Sequence, residues 1–149
     1  MSGPFKVEGL KELDDALGQF TKPVAKAILV RTMKKAGQPV ADHASGIAHR
    51  RTGALKLSAG VGTKLTRRQA KMHKRDNSKS FAEAFIGFGG LTQAITEEFG
   101  TVEVTANPML RPAWDSGKMG VLEAIKTELG TEIMKTAARV ANRAAKIRA

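Results

Sequence analysis

The chain is expected to fold as an α+β domain, a small antiparallel sheet covered by two long helices, one central and one C-terminal, with a long basic hairpin loop. Three observations predict this. Apolar residues step by three or four through two long stretches, up to about residue 49 and from residue 112 onward. Short runs of alternating apolar and polar residues lie outside those stretches. The six Phe, one Trp and absent Tyr leave Ala, Leu, Ile and Val to fill the core, which favours close helix packing over a β-sandwich. A length of 149 residues suits one domain, 1–149, with a flexible basic loop at about 64–80.

Taken in order, Phe5-Lys6-Val7-Glu8-Gly9 alternates and reads as a short strand. Leu10, Leu13, Leu17 and Phe20 then mark a short amphipathic helix closing near Gly18. Thr21 and Pro23 make a helix start, and Leu29, Met33, Ala36, Val40, Ala44 and Ile47 give the long central helix its apolar stripe, to about His49. Pro39 inside it predicts a kink or a break. Arg51 to Leu55 forms a glycine turn, and Ser58 to Leu65 reads as a strand with Ala59, Val61, Thr63 and Leu65 on one face. The stretch 66–80 lacks apolar periodicity and is expected to be an exposed loop, with a second strand from Phe81 to Phe88 closing the hairpin. Gly89-Gly90 turns the chain into a short helix, Leu91 to Phe99, and Thr101 to Thr105 alternates like another strand. The last helix opens at Pro112 with Asp115 in its first turn. Leu122, Ile125, Leu129, Ile133, Ala137, Val140, Ala144 and Ile147 form a stripe running to its end. The order is β-α-α-β-β-α-β-α.

Composition excludes several classes of function. The absence of cysteine rules out disulfides and thiolate catalysis and removes the usual ligands of structural zinc. No apolar run nears the roughly 20 residues that cross a bilayer, and Met1-Ser2-Gly3-Pro4-Phe5 lacks the layout of a signal peptide. A protein made in the cytoplasm, with no membrane partner, is expected. His43, His49 and His73 do not fall at the i,i+4 spacing of helical metal ligands. Glu97 and Glu98 are adjacent, so their side chains diverge, and Gly87-Phe88-Gly89-Gly90 lacks the Lys-Ser/Thr of a phosphate-binding loop. No catalytic, cofactor or metal site is expected, and no small-molecule substrate; the chain reads as a non-enzyme.

Charge is the informative bulk property. The net charge is +11, and two segments hold all of it. Residues 64–79 carry Lys64, Arg67, Arg68, Lys71, Lys74, Arg75 and Lys79 against the single acid Asp76. Residues 135–149 carry five basic residues, Lys135, Arg139, Arg143 and Lys146 among them, and no acid. Such segregation points to an acidic partner surface or to nucleic acid.

Two stretches carry a resemblance. Arg51-Thr52-Gly53-Ala54-Leu55-Lys56-Leu57-Ser58 follows the central helix, and Glu98-Phe99-Gly100-Thr101 leads into Ala106-Asn107-Pro108-Met109-Leu110-Arg111-Pro112-Ala113 before the last helix. With the opening Val7-Glu8-Gly9-Leu10, they resemble the siphophage neck and tail-completion (head–tail joining) proteins, the family that includes the tail-completion protein Z of lambda-like phages. The chain departs from that pattern in having Arg50-Arg51 where proline is usual, Ala59 where a β-branched residue is common, and Met109 where Phe often stands.

The resemblance implies a virion structural protein at the head–tail junction, a subunit of a hexameric neck ring. Its partners would be a head-closure ring, a tail terminator or a tail tube, with packaged DNA as a further contact. Thr52, Gly53, Leu55, Ser58, Glu98, Phe99, Gly100, Thr101, Pro108, Leu110, Arg111, Pro112 and Ala113 are its motif positions. Physically, Gly53 and Gly100 suit positive φ, Phe99 and Leu110 are expected to anchor the intervening segment to the core, and Pro108 and Pro112 to stiffen it. Trp114 is expected in the core, with a subunit-interface anchor as its other role. Six basic loops facing one channel would bring roughly 36 positive charges and hold DNA tightly. A loop that docks on an acidic neighbouring ring is therefore favoured over one lining the channel. The alternative is a free nucleic-acid-binding module using the loop and the last helix. An unrecognised nuclease or toxin ranks last.

Overall fold

The computed structural model describes residues 10–49, 53–73 and 82–148. Small side chains decide how its two long helices meet. α1 (Leu10–Gly18) leads into α2 (Lys22–Ile47), whose buried positions include Ala36, Gly37, Val40, Ala41 and Ala44. A helix so trimmed can be approached closely from more than one side. α6 (Leu110–Arg148) lies along it in the antiparallel sense. Arg31 pairs with Glu132 at 3.2 Å, Lys35 with Glu128 at 2.7 Å, and Val40 faces Gly117. A Cβ at Gly117 would stand 2.6 Å from Val40 Cγ2, so glycine permits this spacing. The ion pairs are exposed and contribute at most about 1 kcal/mol each, but their one-turn steps on both helices match the register.

α3 (Ala54–Ser58) is followed by β1 (Gly60–Gly62), α4 (Arg67–Met72), β2 (Phe85–Gly87) and α5 (Thr92–Phe99). β1 and β2 pair antiparallel, with Gly60 opposite Gly87, Val61 opposite Ile86 and Gly62 opposite Phe85. Val61 and Ile86 press on Gly37 of α2, where a Cβ would be 3.2 Å from each. The architecture is thus α+β, a two-stranded antiparallel sheet with long central and C-terminal helices, as expected. α2 lies directly on the sheet, and α6 packs on α2.

The core has two parts. Val40, Ala44, Ala48, Leu55, Phe88, Met109 and Ala113 form one, where α2, α3, the hairpin and the start of α6 converge. Ile28, Leu129 and Ile133 form the other, closed by Leu13, Leu17 and Phe20 from α1 and its turn. No helix among the described residues is long and apolar enough to cross a membrane.

Several element expectations need correcting. α2 runs unbroken through Pro39, which sits on an exposed face where the missing hydrogen bond leaves a carbonyl to water. Ser58 belongs to α3, and the strands shrink to three residues each because glycines and a single packing face give little to extend them. Residues 66–73 are not a bare loop. Thr66 accepts from the Gln69 N–H at 3.3 Å while Gln69 Oε1 accepts from the Thr66 N–H at 2.9 Å, a capping box that starts α4.

Residues 101–105 form no strand. Thr101 Oγ1 accepts from the Glu103 and Val104 N–H groups, and this local turn wins where no neighbouring strand among the described residues offers a ladder. α6 starts at Leu110, so Pro112 falls inside its first turn, which tolerates proline, and Asp115 falls beyond it. The strand expected at residues 5–9 lies outside the described residues.

Candidate functional site

The motif around Glu98 builds a clamp. Helix N-termini expose N–H groups that need acceptors. Here the acceptor comes from another helix: Glu98, at the end of α5, is 5% exposed and takes the N–H groups of Met109 at 2.7 Å, Leu110 at 2.9 Å and Arg111 at 3.1 Å. Burial pushes its carboxyl up, but those backbone hydrogen bonds and the Arg111 side chain outweigh it and hold the pKa below the ordinary 4.5. The Arg111 guanidinium reaches Glu98 Oε1 at 3.4 Å and the Glu98 carbonyl at 3.3 Å, and lies 5.4 Å from the Phe99 ring centre.

Between the two halves of the clamp the chain makes a tight excursion. Gly100 has φ of 73°, and a Cβ there would meet Val104 O and Ala106 N at 2.8 Å. Asn107 N–H donates to the Glu97 carbonyl at 2.7 Å and closes the loop. Pro108 is half-buried, Pro112 is exposed, and Met109 and Ala113 are fully buried. Phe99 does not anchor the core as expected. It is 69% exposed, because Glu98, its neighbour on α5, takes the inward position. Leu110 is half-buried against the first core cluster.

The other motif stretch also seats a helix. Gly53 has φ of 72° at the start of α3, Leu55 is 1% exposed, and Ser58 Oγ donates to the Leu55 carbonyl at 2.8 Å. Ser45 of α2 donates to the Lys56 carbonyl at 2.9 Å and ties α3 down. Thr52 lies outside the described residues.

The basic residues face outward. Lys64, Arg67, Arg68 and Lys71 are all exposed on and before α4, while Lys74, Arg75 and Lys79 lie outside the described residues. His73 Nε2 stands 3.3 Å from Glu83 Oε1, and its ring meets Phe85 edge-on at 5.2 Å, so α4 is tethered to β2. Between α4 and the hairpin lies an open groove of about 610 Å³ with bare walls at Gly60, Gly62, Gly87 and Gly90, bordered by Lys64. Lys135, Arg139, Arg143 and Lys146 are exposed along the end of α6, and the structure does not bring them near α4.

Among the described residues, reactive groups do not converge. Ser116 Oγ is 3.2 Å from His43 Nδ1, but it also donates toward the Pro112 and Ala113 carbonyls and sits on open surface. Among the described residues, no three His, Asp or Glu side chains gather as a metal site would need.

Trp114 is 47% exposed rather than in the core. With Val40, Phe85, Ile86, Leu110 and Arg111 it lines a mostly apolar groove of about 410 Å³. Sequence periodicity could not find this groove, which is made by three segments far apart in the chain. Compared with known families, curated proteins and solved structures, the chain matches no family model, no curated protein and no solved structure.

Proposed function

We propose that this chain is a structural protein of a long-tailed phage virion, acting in head–tail joining or tail completion as a subunit of a neck ring. The observation that carries the reading is the division of labour among its residues. The motif stretches are consumed in seating α3 and α6, while the cationic residues on α4 and on the end of α6 face outward. A part that only joins other parts turns over no substrate and needs no cofactor. Its chemistry is surface charge on a stable scaffold. The basic hairpin connection docks on an acidic neighbouring ring, with retention of a DNA end as its second role. The protein then acts in the virion after synthesis in the bacterial host.

The test is made in infected cells. Reversing Lys64, Arg67, Arg68, Lys71, Lys74, Arg75 and Lys79 to Glu should leave the isolated chain folded by circular dichroism and abolish joined particles in electron micrographs. Normal infectious particles from that variant would overturn the reading. A free nucleic-acid-binding module is the second reading, favoured by the exposure of Arg139, Arg143 and Lys146 along one helix. It requires the monomer to bind duplex with an affinity that falls steeply with salt.

A further inference from the structure

The outer face of the hairpin is nearly bare of side chains. Val61 and Ile86 press on Gly37 of α2, so alternation puts Gly60, Gly62, Phe85 and Gly87 on the opposite face. Register pairs Gly60 with Gly87 and Gly62 with Phe85, so Phe85 alone furnishes that face. Glycine in a strand costs conformational entropy and forgoes a cross-strand contact. Gly37 and Gly117 have a local reason, because Val61, Ile86 and Val40 crowd them. Gly60, Gly62 and Gly87 have none. Their φ angles are not positive, and a Cβ built on any of them meets nothing within 4 Å among the described residues. Strand glycines without a local cause mark a surface that a ligand or another backbone approaches closely.

α4 stands over that face as a roof without packing on it. None of its residues is buried, and Met72, its one large apolar side chain, is 71% exposed. The roof is nevertheless held at both ends, by the Thr66–Gln69 capping box and by His73 against Glu83 and the Phe85 ring. The groove of about 610 Å³ between roof and floor is of the size of ligand pockets, about 300–1,000 Å³. Its lining holds Lys64 and His73 and no acid, and residues 58–73 contain no Asp or Glu. Arg67, Arg68 and Lys71 do not line it but are exposed on the helix that roofs it. These three and Lys64 make no ion pair among the described residues.

We propose that the glycine-floored groove under α4 binds an extended acidic segment of a partner protein. The segment's backbone crosses the floor at the Gly60–Gly87 pair, where no side chain holds it off. Its carboxylates meet Lys64 inside the groove and the cations of α4 at the flank, while its apolar side chains meet Leu65, Met72 and Phe85. A floor cleared to the backbone suits a single extended chain, whereas a helix measures about 10–12 Å across. A nucleic-acid strand fits less well. It calls for a row of cations with aromatic faces, and the lining supplies one lysine and one phenylalanine. The inference deepens the docking role proposed for the basic connection and rests on it only for which protein supplies the segment.

Selection of random linear peptides on the immobilised full chain tests the groove, with affinities of the selected peptides read by fluorescence anisotropy. The selected peptides should be rich in Asp and Glu. Gly60→Val combined with Gly87→Val fills the floor with good strand formers, so Tm should hold or rise while peptide affinity falls by about tenfold or more. Lys64→Glu, at an exposed position, should lower affinity by about tenfold at unchanged Tm, and it carries the test if the valine pair unfolds the chain. Gly120→Ala, on the exposed side of α6, should bind like the parent. No selected peptide, selected peptides without acids, or a folded floor-filled or Lys64→Glu chain that binds like the parent would each overturn the proposal. So would an oligothymidylate that binds the parent more tightly than the selected peptides and is lost from the same variants. Particles separate this proposal from the neck reading. Peptide binding with the stated losses, in a chain that never enters particles, sinks the neck reading and leaves the groove standing. Joining abolished by charge reversal, with no peptide selected, sinks the groove and leaves the neck reading standing.

Discussion

Glu98 shows how one side chain can anchor the start of a long helix. Its carboxylate replaces three missing acceptors at the start of the 39-residue α6, so the point where that helix begins is held from α5 while α2 supports its length. Glu98→Ala should lower unfolding stability by about 2 kcal/mol, read by urea titration, because buried N–H groups lose their partner. The pH dependence has a definite sign. The folded pKa lies below the unfolded one, so the contribution is complete above the ordinary 4.5 and is lost as pH falls through the lowered folded value. Glu98→Gln should therefore flatten the acid limb of the stability curve relative to the parent chain. Adjacency in sequence marked Glu97 and Glu98 as diverging, and the structure buries Glu98 while Glu97 is half-buried. That one of them would cap a distant helix was invisible, since the partner N–H groups lie 11 to 13 residues further along the chain.

Element by element, periodicity was a good guide wherever an element is long. The stripe of α2 was legible from Ala36, Val40 and Ala44, all buried. Ile28, Thr32, Gly37 and Ala41, also buried, were not, because α2 is covered on more than one side and a single-stripe reading counts one. Pro39 was read as an interruption, yet its exposed position lets the helix continue at a local cost. Pro39→Ala should raise stability by about 1–3 kcal/mol, visible as a higher Tm. For α4 the signal was present in Thr66 and Gln69, three apart, and the run of basic residues obscured it. Removing the cap with Thr66→Ala should cost about 1 kcal/mol locally, seen as faster amide exchange at residues 67–72 with an unchanged global Tm.

At the scale of the molecule, stability and surface function occupy different regions. The end of α6 past Thr136 makes no buried contact among the described residues. A chain ending at Thr136 should keep the parent's stability to within about 0.5 kcal/mol while yielding fewer joined particles in infected cells. The combination separates a docking role for that segment from a structural one, and calorimetry with electron micrographs of infected cells reads both. The basic connection behaves alike: α4 is held by its capping box and by the His73–Glu83 contact, and its Lys and Arg side chains are left to the outside.

By itself the sequence determined the helical framework, the α+β class, the glycine turns at Gly53 and Gly100, and the segregation of charge. Each of these is written in neighbouring residues, through period, backbone freedom or composition. Tertiary structure alone decided which carboxylate caps α6, that Phe99 faces out, that 101–105 turns instead of pairing, and that a groove opens at Trp114. Those outcomes depend on groups brought together from α2, β2, α5 and α6. A strand needs a neighbour, a buried carboxylate needs donors and a groove needs walls, and none of these is local.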